Sequence, residues 1–471
     1  MLPDEVLLTT FDFYVVSKLR TKPETERWIS LVHVCRRWRS LVFQSPSRLN
    51  LRLFCTHETP AKDTLDVWPA LPLLVYTDFP AASSEDNIVF ALGHNDRIHE
   101  VGLWRALGSQ LEKVLAAMQV PLPKVTRLNL AAPLFCHSLP PIPDSFLGGS
   151  APRLRQFLLN DIPFPGLSKF LLSTTQLVDL HLIIPPSGYF PPDEMATCLS
   201  VLNSLEYFSL IFQPFQSYPD RETRRLPQAT CFVSALRSLV FQGRSRYLED
   251  LVARIDAPQL SDFRTSFHHQ PNLTIPQLFK FISRTPTLEA PVEAHVVFEC
   301  YFVRVKLISQ TFGRGEFGTH FPCSSRRPDW QLSSLVQVLA SSSRPFLTVE
   351  NLYIKDQGSN FAMTSRVETT QWWEFLRIFA AVKNIYLFEP IALHIAYSLQ
   401  ALCGSRSMEV LPALQEIFFR PSEVGLPDAS GLVVRSQGLM EQFVAARQLL
   451  GQTITITVSQ CQESLTGPGD D

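Results

Sequence analysis

Apolar residues follow two different rhythms along this chain. Over the first fifty positions they recur at helical spacing. Val6, Leu7, Phe11 and Tyr14 come after Pro3-Asp4-Glu5. That opening is a helix-start signal: proline is tolerated in the first turn, and two acids favour the positive end of the helix dipole. After a polar stretch from Ser17 to Arg27, the residues Leu31, Val34/Cys35, Trp38 and Leu41/Val42 share one predicted helical face. Arg36, Arg37 and Arg39 fall largely off it, and Ser45-Pro46-Ser47 closes the segment.

From Leu51 to Val458 the rhythm changes to short apolar strands between proline-rich turns. A triplet with apolar residues at places 1, 4 and 6 recurs as Ile98-Val101-Leu103, Val125-Leu128-Leu130, Leu154-Phe157-Leu159, Leu177-Leu180-Leu182, Leu205-Phe208-Leu210 and Leu236-Leu239-Phe241. It returns as Val349-Leu352-Ile354, Val382-Ile385-Leu387 and Leu414-Ile417-Phe419. Single matches carry no weight, because with 45% apolar residues one triplet falls by chance about once in eleven positions. The early starts, however, are 27, 29, 23, 28 and 31 residues apart. That period is near the ~20–29 residues of leucine-rich repeats.

Between the triplets, Leu167-Ser-Lys-Phe-Leu-Leu, Leu278-Phe-Lys-Phe-Ile and Trp373-Glu-Phe-Leu-Arg-Ile-Phe read as short amphipathic helices. Strand alternating with short helix predicts an α/β fold: an irregular leucine-rich-repeat-like solenoid of short parallel strands behind an N-terminal helical unit. No triplet is followed by the Asn or Cys that usually forms an internal ladder, and the register is lost from about 288 to 348.

Composition narrows the classes. Thirty-six prolines against 19 glycines favour short elements over long helices. A formal charge of -2 over 471 residues argues against nucleic-acid binding by bulk electrostatics. No stretch is apolar enough to span a membrane, and Met-Leu-Pro-Asp-Glu is not a secretory signal, so an intracellular chain, cytoplasmic or nuclear, is expected. Nine cysteines scattered without a CxxC pair read as free thiols.

Chemistry is scarce. Gly313-Arg-Gly315-Glu-Phe-Gly318 matches G-x-G-x-x-G, but Thr319-His-Phe-Pro cannot open the helix that a dinucleotide needs, so a glycine loop is expected. His268-His269 lacks a third ligand at a recognised spacing. With no hydrolase, protease or phosphate-loop motif, the chain is expected to be non-catalytic and to bind no cofactor or metal. Trp372-Trp373 should give one ring to the core and one to the surface.

The N-terminal string carries a family resemblance. Leu2-Pro3-Asp4-Glu5-Val6-Leu7…Phe11, then Val34-Cys35-Arg36-Arg37-Trp38-Arg39…Leu41, resembles the F-box, whose pattern opens Leu-Pro-x-Glu-hydrophobic-Leu and closes Val-Cys-Arg/Lys-x-Trp. The polar stretch from Ser17 to Arg27 is longer than in compact F-boxes. An F-box followed by irregular leucine-rich repeats is similar to the large F-box families of mushroom-forming fungi.

This resemblance implies a substrate-recognition subunit of an SCF-type ubiquitin ligase. The F-box, residues 1–50, would bind a Skp-type adaptor and through it a cullin–RING ligase. Residues 51–462 would select a protein target, and 463–471 would be a flexible tail. Leu2, Pro3, Val6, Leu7, Phe11, Val34, Cys35, Trp38 and Leu41 match the family's adaptor-facing or core positions. The alternative is a protein-interaction scaffold outside any ligase, whose F-box-like helices only cap the solenoid. In either case Arg127, Asn129, Asp179, His181, Glu206, Ser209, Arg237 and Ser238 are expected on the concave face, where their mixed chemistry suits a protein partner.

Overall fold

The structure is a computed structural model that describes residues 2–16, 27–58, 60–78, 84–106, 108–133, 139–185, 188–213, 230–268, 273–310, 314–322, 328–340, 346–357, 369–402, 404–420 and 429–458. The expected tail at 463–471 and most of the polar stretch from Ser17 to Arg27 lie outside them. The chain divides into two compact units, Met1–Asp220 and Arg221–Asp471.

The first unit begins with α1 (Asp4–Val16), α2 (Arg27–Val32) and α3 (Arg36–Gln44). One continuous face through Leu31, Cys35 and Trp38 is corrected here, because the helix ends at Val32 and a new one starts at Arg36. Cys35 takes an extended conformation and caps α3, its Sγ accepting from the Trp38 amide at 3.4 Å. Phe11 of α1 packs against Trp38 of α3, the rings tilted at 60° with centroids 4.6 Å apart. Arg37 donates to the Leu2 carbonyl at 2.6 Å and pairs with Asp4, holding the start of α1 to α3.

Strands β1 (Leu53–Cys55), β2 (Leu73–Asp78), β3 (Ile98–Trp104), β4 (Arg127–Ala131), β5 (Gln156–Asn160), β6 (Asp179–Ile184) and β7 (Tyr207–Phe212) follow in sequence order, each parallel to the one before. Helices α4 (Ala61–Val67), α5 (Asp86–Leu92), α6 (Gly108–Ala117), α7 (Leu167–Leu172) and α8 (Pro192–Val201) connect them, with a 3-10 turn at Phe146–Gly149 between β4 and β5. The helical unit covers the first strand. Trp28 is 1% exposed, donates through Nε1 to the Arg52 carbonyl at 3.0 Å, and meets Trp68 edge-on at 5.2 Å. An open repeat array needs this kind of cover at its end.

The second unit contains β8 (Cys231–Phe232) paired with β10 (Ile255–Asp256), and a larger sheet. That sheet runs β9 (Ser238–Gly243), β11 (Asp262–Phe267), β14 (Gly315–Pro322), β13 (Phe302–Ser309), β12 (Glu293–Glu299), β15 (Asn351–Gln357), β16 (Asn384–Phe388), β17 (Glu416–Arg420) and β18 (Thr455–Val458). Its helices are α9 (Ser245–Val252), α10 (Pro276–Arg284), α11 (Pro328–Ala340), α12 (Thr369–Leu376), α13 (Ile391–Gln400) and α14 (Ala429–Gln448). The sheet is parallel except where β13 runs antiparallel to both β12 and β14. This meander is where the triplet register is lost.

It also corrects the expected glycine loop. Gly315 and Gly318 lie within β14, while Gly313 is outside the described residues. A Cβ on Gly315 would lie 1.8 Å from the Thr287 carbonyl oxygen, so only glycine lets the strand start there.

None of the 27 triplet residues is more than 1% exposed. The usual side-chain ladder is replaced by backbone bonds. The Thr126 carbonyl accepts from the amides of Arg155 and Gln156 at 2.8 and 3.0 Å. Arg155 does the same for Val178 and Asp179, Glu350 for Lys383 and Asn384, and Lys383 for Gln415 and Glu416. One carbonyl thus clamps the start of the next strand, and the backbone needs no asparagine.

Buried polar groups fasten the second unit. Glu249, 1% exposed, accepts from the amides of Gln277 and Leu278 at 2.9 and 2.7 Å, satisfying orphan donors at the start of α10. Arg447 of α14, fully buried, donates to the carbonyls of Val410 and Leu411, and burial pushes its pKa down to about 10.

Glu389 is 1% exposed and accepts from Ser436 Oγ at 3.0 Å; burial pushes its carboxyl pKa up. Above the unfolded carboxylate value the unfolded state releases its proton more readily, so this group costs stability increasingly as pH rises towards its folded value. Glu389→Gln should therefore be more stable than the parent at about pH 8, with the difference vanishing near about pH 4. Thermal midpoints followed by circular dichroism at the two pH values check this. A constant difference across them would remove Glu389 as its source.

Candidate protein-interaction surfaces

Most strands bury alternate residues, as β5, β6, β12, β16 and β17 do, leaving the second face half-exposed. Register then aligns side chains into rows that cross the strands. In the first unit Glu100, Arg127, Gln156, Asp179 and Tyr207 form one row, and Gly102, Asn129, Leu158, His181 and Ser209 the next.

Glu100 is the hub of the first row. It accepts from Arg52 at 2.5 Å, Tyr76 Oη at 2.7 Å and Arg127 at 3.3 Å, and Arg127 reaches on to Gln156. Burial, then the bond to Glu100, pushes the Tyr76 phenol up. The Tyr76 ring occupies the space over Gly102, where a Cβ would sit 2.3 Å from its Cδ1. Farther along, His181 lies 3.2 Å from Asp179 and its ring centroid 4.5 Å from that of Tyr207.

The sequence therefore placed Arg127, Asn129, Asp179, His181 and Ser209 in these two rows, with Ser209 buried at 4%. In the second unit Ser238 lies on the half-exposed face of β9 and donates to Asp262 at 2.9 Å. Glu206 and Arg237 are corrected. Each precedes its strand by one residue and has the parity of the buried positions, so it stands at the rim.

The second unit carries a face that sequence reasoning missed. Its first row is Glu293, Asn351, Asn384 and Glu416; its second is His295, Tyr353, Tyr386 and Phe418. The four rings of the second row stack with centroids 4.3, 4.2 and 4.5 Å apart and planes within 7°. A third row holds Val297 opposite Lys355 and Phe388 opposite Arg420. Burial pushes the His295 pKa down, favouring neutral imidazole despite Glu293 at 3.6 Å, and pushes the Tyr353 phenol up. The signal was present at place 5 of the three last triplets, where Tyr353, Tyr386 and Phe418 sit between two core residues.

The N-terminal candidates separate into two sets. Leu7, Phe11 and Leu41 are buried, Trp38 is half-buried against Phe11, and Leu2, Pro3, Val6, Val34 and Cys35 are exposed. The exposed set spans the start of α1 and the turn before α3, which Arg37 joins.

Trp372 is fully buried, and Trp373 is half-buried, donating to the Ser398 carbonyl at 2.7 Å. His268 follows β11, while His269 lies outside the described residues. Among the described residues no group of three His, Cys, Asp or Glu could hold a metal, and no helix is long and apolar enough to cross a membrane.

The register and alternation define a leucine-rich-repeat-like α/β solenoid with a mostly parallel sheet. No protein-family model matches the sequence, and no curated protein matches it. Among solved structures it is similar to the leucine-rich repeat-containing protein LegL7 from Legionella pneumophila, at 12% identity over 82% of this chain and 98% of that one, with a TM-score of 0.30.

Proposed function

We propose that the chain is a non-catalytic protein-interaction solenoid whose half-exposed sheet faces bind a protein partner and whose N-terminal helices cap the first strand. The ring-and-charge rows support this reading, since interfaces are enriched in Tyr, Phe and Arg arranged around buried anchors. Cross-linking with a photoreactive residue at Leu158 or at Tyr353 tests it. A protein captured at either position supports the reading; capture only at helix-side positions removes it.

A second, finer reading is favoured by the exposure of Leu2, Pro3, Val6, Val34 and Cys35, apolar or weakly polar positions that match the F-box pattern. In it, residues 1–50 are an F-box, residues 51–462 a target-binding domain, and the chain a substrate-recognition subunit bound to a Skp-type adaptor and a cullin–RING ligase. The Leu2→Ala, Pro3→Ala double variant should keep its circular-dichroism spectrum. It should lose adaptor binding by about tenfold or more, equivalent to about 1.4 kcal/mol. A folded double variant that binds as tightly as the parent leaves the helices as a cap alone.

A further inference from the structure

The ring ladder lies between unlike borders. On one side stand Glu293, Asn351, Asn384 and Glu416, and on the other Val297, Lys355, Phe388 and Arg420. Lys355 Nζ lies 5.7 Å from the Phe388 centroid; Arg420 Cζ lies 6.0 Å from the same ring and 5.6 Å from Tyr386.

Two acids nearby are paired with cations: Glu350 holds Lys383 at 2.7 Å and Glu299 pairs with Arg304, while Glu293 accepts from the neutral Gln310 at 3.4 Å. Arg420 makes no ion pair among the described residues, and its Nε is a buried donor without a partner. Glu416 is on the same strand, four residues away, about 13 Å at strand rise. That distance is too great for direct pairing.

The rings add to this preference. Because each ring covers its neighbour's face, the ladder turns its edges outward, and ring edges carry the positive end of the aromatic quadrupole. A guanidinium resting on rings is weakly hydrated and keeps its planar fork of donors for a carboxylate. The ladder's three inter-ring steps match about four residues of extended chain at about 3.4 Å each.

We propose that the face formed by β12, β15, β16 and β17 docks an extended acidic segment of a partner protein, its carboxylates taken by Arg420 and Lys355 and its apolar side chains by the ring edges. This rests on the protein-interaction reading above.

The test uses the full chain and a fluorescent peptide alternating Glu with Leu, compared with its Gln and Lys counterparts and with polyuridine RNA. The Glu peptide should bind at least about tenfold more tightly than the Gln peptide. Arg420→Gln and Lys355→Glu should each lower that affinity about tenfold and reduce its sensitivity to salt. Lys355→Glu keeps an extended stem at a strand position, so it remains informative if the buried part of Arg420 proves necessary for folding. Equal binding of the Glu peptide to the parent and to folded variants overturns the proposal, as does preference for the Lys peptide. Displacement by RNA at lower concentration than by free Glu peptide replaces the acidic protein with a phosphate polyanion. If no Glu peptide binds while a non-acidic protein segment cross-links at Tyr353, the charge assignment fails and the docking reading stands. If no protein cross-links at any open-face position, both fail.

Discussion

Leu180→Ala and Leu239→Ala should each cost about 2–5 kcal/mol, the sum of lost burial and the cavity left behind. Leu180 is fully buried in β6, in register with Phe157 on one side and Phe208 on the other. Leu239 of β9 is 1% exposed and aligned with Phe263 of β11. Large aromatic neighbours on adjacent strands relax poorly into a missing isobutyl group, which places both sites away from the mild end of the range. Leu158 lies on the other face of β5, and Leu158→Ala should cost about half a kilocalorie or less. Long repeat arrays depart from two-state unfolding, so local hydrogen-exchange protection is the measurement. Losses below about half a kilocalorie at both core sites would contradict the register that aligns the sheet.

Much of the solenoid was legible because its core is a local pattern. A strand that buries alternate residues and turns in from one apolar anchor must show apolar residues at places 1, 4 and 6. β11 escaped because Thr265, 3% exposed, occupies the third place of Leu260-Phe263-Thr265. The β12–β14 meander escaped for a different reason. An antiparallel excursion has no turn-in anchor per strand, so alternation survives in Ala294, Val296 and Phe298 while the repeat period does not.

The split of the second N-terminal helical segment was illegible because Cys35 can continue a helical stripe or cap a helix equally well. The ring ladder shows the remaining limit. His295, Tyr353, Tyr386 and Phe418 are far apart in sequence, and only strand register brings their rings within 4.5 Å. The resemblance of residues 1–50 pointed to the N-terminal surface but could not tell cap from contact. Side-chain exposure separates only buried from exposed positions: Leu7, Phe11 and Leu41 face inward, and Leu2, Val6 and Val34 face outward.

Trp28→Ala should be the most damaging change at the N-terminal end, costing about 3–5 kcal/mol. The indole is 1% exposed and wedged between Trp68, 5.2 Å away, and Phe43, 6.1 Å away. Its Nε1 also donates to the Arg52 carbonyl just before β1, so truncation leaves that acceptor without its partner. Trp28→Phe should retain most of the ring packing and lose mainly the hydrogen bond, about 1 kcal/mol. The damage should remain local, because each repeat rests chiefly on its neighbours. Amide exchange should accelerate in α3, β1 and β2 and hold steady in β5 and β6. Unchanged exchange in α3 and β1 would mean that Trp28 does not fasten the helices to the first strand. Uniform acceleration through β6 would mean that the seven-stranded unit opens as one cooperative block, with the cap setting the stability of all of it.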